Sequence, residues 1–532
     1  MSTTSQLGEP LSASSSLSSL VEDLQRQLAS AAQVAEAHQR TLEATQQELA
    51  FTKLKVQMLE ERLRQKRIEK YGPHSEKLST LQLDLLEGEP GVSDAEVKAE
   101  SEREKLPPAP RRQRRRHPGR QTLPPDLRRV EKVIACTLAQ CVCGQCGKET
   151  TVIGYDESEQ LAVEPAQYYV ELIKREKRAC KCCEEAGVMA APLPARILEK
   201  SLASDAVIVD TVVSKYADHC PLYRQSAILQ RDAGVEISRA TLDGWVMRVG
   251  QLLIPIVEAM RQELLRGGYI QADETPVGVQ MHDRRGRNHQ AYLWQYGSPG
   301  GAVVFDFRMS RKREGAKEFL KQYAGLLQTD GYAGYEGVGG DGLVHAACWA
   351  HSRRKLVESV RLNPNDEAAV HLLTLVNDLF LIDAEAREAN ADVATRDAMR
   401  QERARPLLAQ IKAQLEQTKA KALPKSSLGK ACRYTLKLWD KLTRFLDHPV
   451  LELSNNLAEN SMRPVALGRK NWIHLGDEKA GPKVAAILSV IESCRRLNLS
   501  AREYLQSVLP GLDDVSIQRV PELTPTARGR CR

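Results

Sequence analysis

Val21, Leu28, Ala35, Leu42, Leu49, Val56 and Leu63 recur at seven-residue intervals, with Leu17, Leu24, Ala31 and Leu59 on the adjoining seam. Sustained heptads with Gln, Glu, Arg and Lys between them specify a long helix whose apolar stripe only another helix can cover. The expected cover is the same segment of a second copy; the alternative is a lone amphipathic helix folded back on its own chain. His38, Thr45 and Thr52 weaken the second seam. Gly72 and Pro73 end the helix, because proline drives the residue before it out of helical angles. Residues 1–72 are therefore expected to be a leucine-zipper coiled coil that makes the chain a homo-oligomer.

At 532 residues the chain exceeds one ordinary core, so several domains are expected. Lys and Arg outnumber Asp and Glu by 76 to 69, a net +7 that suits a polyanionic partner only where the charge is clustered. The N-terminus lacks a signal-peptide pattern, and no run reaches the roughly 18 apolar residues of a membrane span, so a cytoplasmic protein without a membrane partner is expected.

The charge is clustered. Between the prolines of residues 73–130 lie Arg111, Arg112, Arg114, Arg115, Arg116 and Arg120, with no acid between Glu104 and Asp126. An extended basic linker of this kind neutralises phosphates, and guanidinium forks match phosphate oxygens. Seven of the 12 cysteines then crowd between Cys136 and Cys183, a pattern of metal ligation and not of a disulfide scaffold. Cys143-Gly-Gln-Cys146 and Cys180-Lys-Cys182-Cys183 can bring four thiolates onto one tetrahedral Zn²⁺. Cys143, Cys146, Cys180 and Cys183 are the expected ligands of a zinc-binding module over residues 131–195, with Cys182 a rival for the fourth place. Residues 196–266 read as helical. Within them Pro221–Leu229, a break at Gly234, and a second helix capped by Ser238 suggest a helix-turn-helix, with Arg239, Thr241 and Arg248 toward DNA and Leu242, Trp245 and Val246 inward.

Acids set in apolar strands point to chemistry, since buried carboxylates are costly unless used. Gly268–Val279 reads as a buried strand carrying Asp273 and Glu274; strand alternation sends these two to opposite faces. Strands follow at 291–296 and 302–307, a helix at 314–323, and a short strand from Leu326 that ends at Asp330 before Gly331 and Gly334. Strand Val344–Cys348 leads into a helix opening Trp349-Ala-His-Ser-Arg-Arg-Lys355. An acid in the first strand, two more strands, a helix and a second acid at a strand end is the order of an RNase H-like sheet. A third acid from a late helix would complete a site of oxygen ligands for Mg²⁺ or Mn²⁺, which suits in-line phosphoryl displacement. Glu459 lies on such a helix, with Arg463 one turn on. Spacing alone leaves Glu459 one choice among several, with Asp306 and Asp341 as rivals.

Several of these motifs, in this order, resemble transposases of the bacterial insertion sequence sixty-six group, over nearly the whole chain. They are the zipper, Tyr71-Gly-Pro-His-Ser-Glu-Lys77, the cysteine module, Ala272-Asp-Glu-Thr-Pro-Val277, Thr329-Asp-Gly-Tyr332, Cys348–Lys355, and Asn455-Asn456 through Arg469-Lys-Asn-Trp472. The resemblance implies a multidomain α+β chain whose core is an RNase H-like DDE domain, with Asp273, Asp330 and Glu459 as catalytic metal ligands and zinc at the cysteine module. It divides the core into 267–361 and 451–490 around a helical insertion at 362–450, leaving 491–532 as a C-terminal helical segment and tail. It further implies binding to terminal inverted repeats, cleavage by metal-activated water, and attack of the freed 3′-hydroxyl on target DNA without a covalent protein intermediate. Arg353, Arg354, Arg463, Arg469 and Lys470 join Arg111, Arg112, Arg114, Arg115, Arg116, Arg239 and Arg248 as expected DNA contacts. Members are often encoded beside two small accessory proteins, which become expected partners at the nucleoid. Ser454, where the family usually has an acid, and Ile473-His-Leu-Gly-Asp477, which lacks the usual aromatic, depart from the pattern without touching a ligand. The rival readings are a non-catalytic, zinc-containing DNA-binding regulator and a structure-selective nuclease of the same fold.

Overall fold

The computed structural model describes residues 12–71, 141, 145, 148–149, 168–179, 188–281 and 287–530. Arg111 to Arg116 and the candidate zinc ligands Cys143, Cys146, Cys180, Cys182 and Cys183 lie outside them.

The N-terminal helix α1 (Ser12–Tyr71) ends just before Gly72 and Pro73. A two-stranded antiparallel ribbon follows, β1 (Lys177–Ala179) with β2 (Val188–Ala190). Three helices come next: α2 (Asp205–Tyr216), α3 (Leu222–Ala233) and α4 (Arg239–Arg266). Gly234, at φ 66°, closes α3 in a left-handed conformation. Ser238 caps α4 by accepting the Thr241 N–H at 3.1 Å. Leu242, Trp245 and Val246 do point inward, and burial continues along α4 as far as Leu264. These helices share one hydrophobic cluster with the sheet that follows, so residues 196–266 are built into the core.

The sheet comprises β3 (Tyr269–Val279), β4 (His289–Gly297) and β5 (Val303–Arg308), then, after α5 (Arg313–Leu320), β6 (Leu326–Thr329) and β7 (Val344–Ala347). Its order is β5-β4-β3-β6-β7; the first three strands are antiparallel, and β6 and β7 run parallel to β3. Beyond β7 the chain turns into helices: α6 (Trp349–Leu362), α7 (Glu367–Glu388), α8 (Val393–Met399), a π turn over Arg400–Ala404, α9 (Arg405–Lys421), α10 (Ser427–Lys437) and α11 (Trp439–Leu442). They enclose a second cluster around Leu372, Leu408, Ile411, Leu415 and Cys432, sealed by Trp349, whose indole N–H donates to the Leu442 carbonyl at 2.8 Å.

The chain then returns to the sheet with α12 (Asn456–Trp472) and β8 (His474–Leu475), which pairs with the far end of β3 at Gly278 and Val279. Helix α13 (Ala480–Arg496), buried over most of its length, packs against α4, and α14 (Ala501–Val508) and α15 (Pro525–Arg530) complete the chain. The α4–α13 approach depends on Gly250, where a Cβ would lie 2.7 Å from Lys483. Helix α13 also closes the edge of β5: Ser489 accepts the Phe305 N–H, and Ser493 pairs with the N–H and C=O of Val303. That edge is thereby shielded from strand addition by another chain. Among the described residues no helix is long and apolar enough to cross a membrane.

Candidate functional site

Strand register brings the first two acids together. In the parallel β3–β6 pair Gln271 faces Gln328, and the same offset two residues on sets Asp273 opposite Asp330, where β6 gives way to a turn. Neighbouring strands lie ~4.8 Å apart, so these positions are side by side at one end of the sheet. Two glutamines fix their faces. Gln271 Nε2 donates to Gln328 Oε1 at 3.0 Å, so both side chains point to the same side of the sheet, and by alternation so do Asp273 and Asp330.

That side is covered by the segment returning from the insertion. Gln271 also donates to the Ser454 carbonyl at 3.1 Å, Gln328 to the Glu452 carbonyl at 2.6 Å, and Arg469 to Thr275 Oγ1 at 2.8 Å. Gln271, Asp273 and Thr275 therefore face α12, whose first turn carries Glu459. Asn455, fully buried, sends its side-chain N–H₂ to the Ala272 carbonyl, and its backbone N–H meets Cys348 Sγ at 3.4 Å.

The electrostatics agree with this convergence. Burial first, then the charges of Glu274, Asp330 and Glu459, push the Asp273 carboxyl up to about 8, against a hydrogen bond from the Glu274 N–H that lowers it. Asp330 Oδ1 accepts the Tyr332 N–H at 2.8 Å, which orders the turn. Gly331 takes φ 87° there, and a Cβ on it would meet Leu438 at 2.5 Å, so the chain needs glycine at that point on two counts. Glu459 is held by α6: Arg354 Nη2 lies 3.0 and 3.3 Å from its two oxygens, and His351 Nε2 lies 3.4 Å away. Among the described residues no three His, Cys, Asp or Glu side chains form a ready-made metal cage.

Glu274 departs from the simplest expectation. It is on the opposite strand face from Asp273, yet its side chain is only 2% exposed and fully engaged. Arg311 Nε donates to Oε1 at 2.9 Å and the Tyr335 hydroxyl to Oε2 at 2.8 Å. Arg311 also stacks over the Tyr332 ring, 3.9 Å from its centroid, tying Glu274 to the turn that holds Asp330. Replacing Glu274 therefore perturbs this turn. The rival Asp306 pairs with Arg308 at 2.7 Å on β5, three strands away from β6, and Asp341 is exposed in the loop before β7.

The basic residues divide into exposed and engaged. Arg239, Arg463 and Lys470 are exposed, and Arg354 is half exposed while paired with Glu459. Arg248 is ion-paired with Asp513, Arg353 donates to Asn377 Oδ1 at 2.7 Å across the α6–α7 contact, and Arg469 holds Thr275 and the Pro276 carbonyl. Sequence reasoning assigned no role to the Gln271–Gln328 pair, Arg311, Tyr335 or His351. Of these, His351 carried a signal, as a member of the Cys348–Lys355 motif.

Comparison with known proteins adds the following. A model described as Transposase IS66 family matches residues 200–483, spanning the sheet, the insertion and α12. Residues 140–184 match the zinc-finger binding domain of transposase IS66, and residues 58–131 a family described as Transposase C of IS166 homeodomain. The uncharacterized protein y4jD of Sinorhizobium fredii is 33% identical over 402 residues, covering 73% of this chain and 77% of the relative. The uncharacterized protein y4qI of the same organism is 30% identical, with 72% of each chain covered. A third, y4hP, is 27% identical over 89% of this chain and 87% of its own length.

Proposed function

The chain belongs to the IS66 family of transposases, and we propose that it cuts and joins DNA at its element's ends with Asp273, Asp330 and Glu459 as the ligands of catalytic divalent ions. The observation that carries this reading is the shared register and face of Asp273 and Asp330 beneath the helix bearing Glu459. Three antiparallel strands followed by two parallel ones, with one acid on β3 and the next just past the end of its neighbour β6, support an RNase H-like core.

The donor set fits Mg²⁺ or Mn²⁺. All three ligands are carboxylate oxygens, and burial, followed by the charges of Glu274, Asp330 and Glu459, raises the Asp273 carboxyl. Ions bound there would supply charge stabilisation for the attacking and leaving oxygens of an in-line phosphoryl displacement. The chain's own residues do the positioning. The Gln271–Gln328 pair locks the strand ends, Tyr332 orients Asp330, and Asn455 fixes the start of α12. Arg463, exposed one turn on from Glu459, and the half-exposed Arg354 are the arginines that meet DNA phosphate in this reading.

The rest of the assignment follows the same reading. Cys143, Cys146, Cys180 and Cys183 or Cys182 hold a structural zinc, and Arg111, Arg112, Arg114, Arg115, Arg116, Arg239 and Lys470 contact DNA. The α1 seam pairs two copies, so that two inverted repeats enter one complex, with small accessory proteins as further partners at the nucleoid. A nicking assay tests the core of it. Wild-type protein with Mg²⁺ is expected to cut duplexes carrying the element's ends and to spare duplexes without them, whereas Asp273→Ala binds those ends uncut. Binding without cutting by wild type supports the regulator reading, cutting of branched DNA regardless of its ends supports the nuclease reading, and cutting by Asp273→Ala contradicts the assigned ligand.

A further inference from the structure

Among the described residues, helix α1 meets the rest of the molecule over one short stretch. Every side chain from Leu20 to Val56 is exposed; burial begins at Gln57 and Met58, is deepest at Glu61, and continues at Arg64 and Gln65. Glu61 is 6% exposed, and its Oε2 accepts the backbone N–H of Ser427, the first residue of α10, at 3.2 Å. Arg64 donates to the carbonyl of Leu362, the last residue of α6. An acid at one helix's N-terminus and a base at another's C-terminus both match the helix dipoles. Burial, with Asp366 nearby, raises the Glu61 carboxyl, and the Ser427 N–H, Arg64 and Lys430 partly oppose that.

The docked face is not the heptad face. Leu49, Val56, Leu59 and Leu63 remain about half exposed, although Leu63 is next to Arg64 in sequence. At about 100° per residue, positions 57, 58, 61, 64 and 65 centre roughly 160° around the helix from that seam. The two faces are therefore nearly opposite, and neither blocks the other.

We propose that α1 is a two-faced strut, fixed by its Gln57–Gln65 face to the helical insertion of its own chain while its opposite seam packs on the same seam of a second copy. This rests on the self-association proposed above. The occupant is a second copy because a heptad stripe is complementary to itself, and the face that could fold back on the chain is already used. Whichever way the two helices run, both insertions ride outside the two-helix stem. The spacing and rotation of the two catalytic bodies are then set by a fixed joint at Glu61, and not by the proline- and arginine-rich linker.

Two full-length variants separate the faces, each read by light-scattering mass and by amide hydrogen exchange. Glu61→Lys is expected to keep the wild-type mass while exchange at Ser427–Ala431 accelerates by about tenfold, as loss of a helix N-terminal acceptor requires. Val56→Asp with Leu63→Asp is expected to give the monomer mass with that exchange unchanged, which also shows that the variant is folded. The strut is overturned if Glu61→Lys leaves the exchange unaltered or dissociates the protein, or if the seam variant accelerates it. A wild type that is itself monomeric, with Ser427–Ala431 protected, refutes the self-association and leaves only the docking.

Discussion

Asp383, on α7, is 2% exposed and receives three arginines: Arg400 at 2.7 Å, Arg396 at 2.9 Å and Arg387 at 3.5 Å. Replacing it by alanine strands them unequally. Arg387 is 58% exposed and loses little, since solvated ion pairs contribute only about 0–1 kcal/mol. Arg396 keeps Glu452 at 3.0 Å. Arg400, 1% exposed, becomes a buried cation with no carboxylate against it, a change that costs about 3–5 kcal/mol. Its bonds to the carbonyls of Phe445, Pro449 and Leu451 remain, which sets the expectation near the lower end, about 3 kcal/mol. Those carbonyls belong to the strip that leads back to Glu459, so the loss should reach the site. Hydrogen exchange measures it locally: amides within α7 and α9 should exchange about 100-fold faster in Asp383→Ala, with a smaller acceleration in the first turns of α12. Burial alone would raise the Asp383 carboxyl, but Arg400 and Arg396 outweigh it and hold the group below its ordinary value. Its contribution is thus fully present above the unfolded pKa of about 3.9 and disappears as pH falls through the lower folded value. An Asp383→Ala protein within about 1 kcal/mol of wild type at pH 7 would refute the claim that Arg400 depends on this carboxylate.

Three further outcomes are expected. Arg354→Gln removes a half-exposed competitor for Glu459, so Mn²⁺ should bind about 2- to 5-fold more tightly without DNA, as titration calorimetry would show; weaker binding would contradict the competition. His345, pushed down to about 4 chiefly by burial and bonded to Thr329 at 2.8 Å, contributes stability that is complete above about pH 6.5 and is lost as pH falls from there toward about 4. Unfolding midpoints of wild type and His345→Asn across that window should show the slope, worth at most about 3 kcal/mol, in wild type alone. Elemental analysis should find one zinc per chain, and Cys143→Ser with Cys146→Ser should remove it; retained zinc would exclude those two thiolates.

Periodicity made much of the fold legible. The strands read at 291–296 and 302–307 fall on β4 and β5 within a residue or two, and α1 stops where Pro73 dictates. Register was not legible, because nothing local states that Gln271 lies against Gln328, and it is this pairing that sets Asp273 beside Asp330. Arg353 and Arg354 look alike as a basic dipeptide, but one helical step turns the first toward Asn377 and the second toward Glu459. Alternation turns Glu274 away from Asp273 but does not say what it meets; its engagement depends on Arg311 and Tyr335, 37 and 61 residues on. The heptads announced the exposed seam of α1, while its docked face consists of Gln57, Met58, Glu61, Arg64 and Gln65, which no pattern distinguishes from an ordinary solvated surface.

The central claim is that three carboxylates, distant in sequence, hold the catalytic ions together. Electron paramagnetic resonance counting of Mn²⁺ on protein bound to one of its element's ends tests it most directly. Two ions per active site are expected for wild type, with at least one lost in each of Asp273→Asn, Asp330→Asn and Glu459→Gln. Unchanged Mn²⁺ occupancy in all three variants would contradict the account.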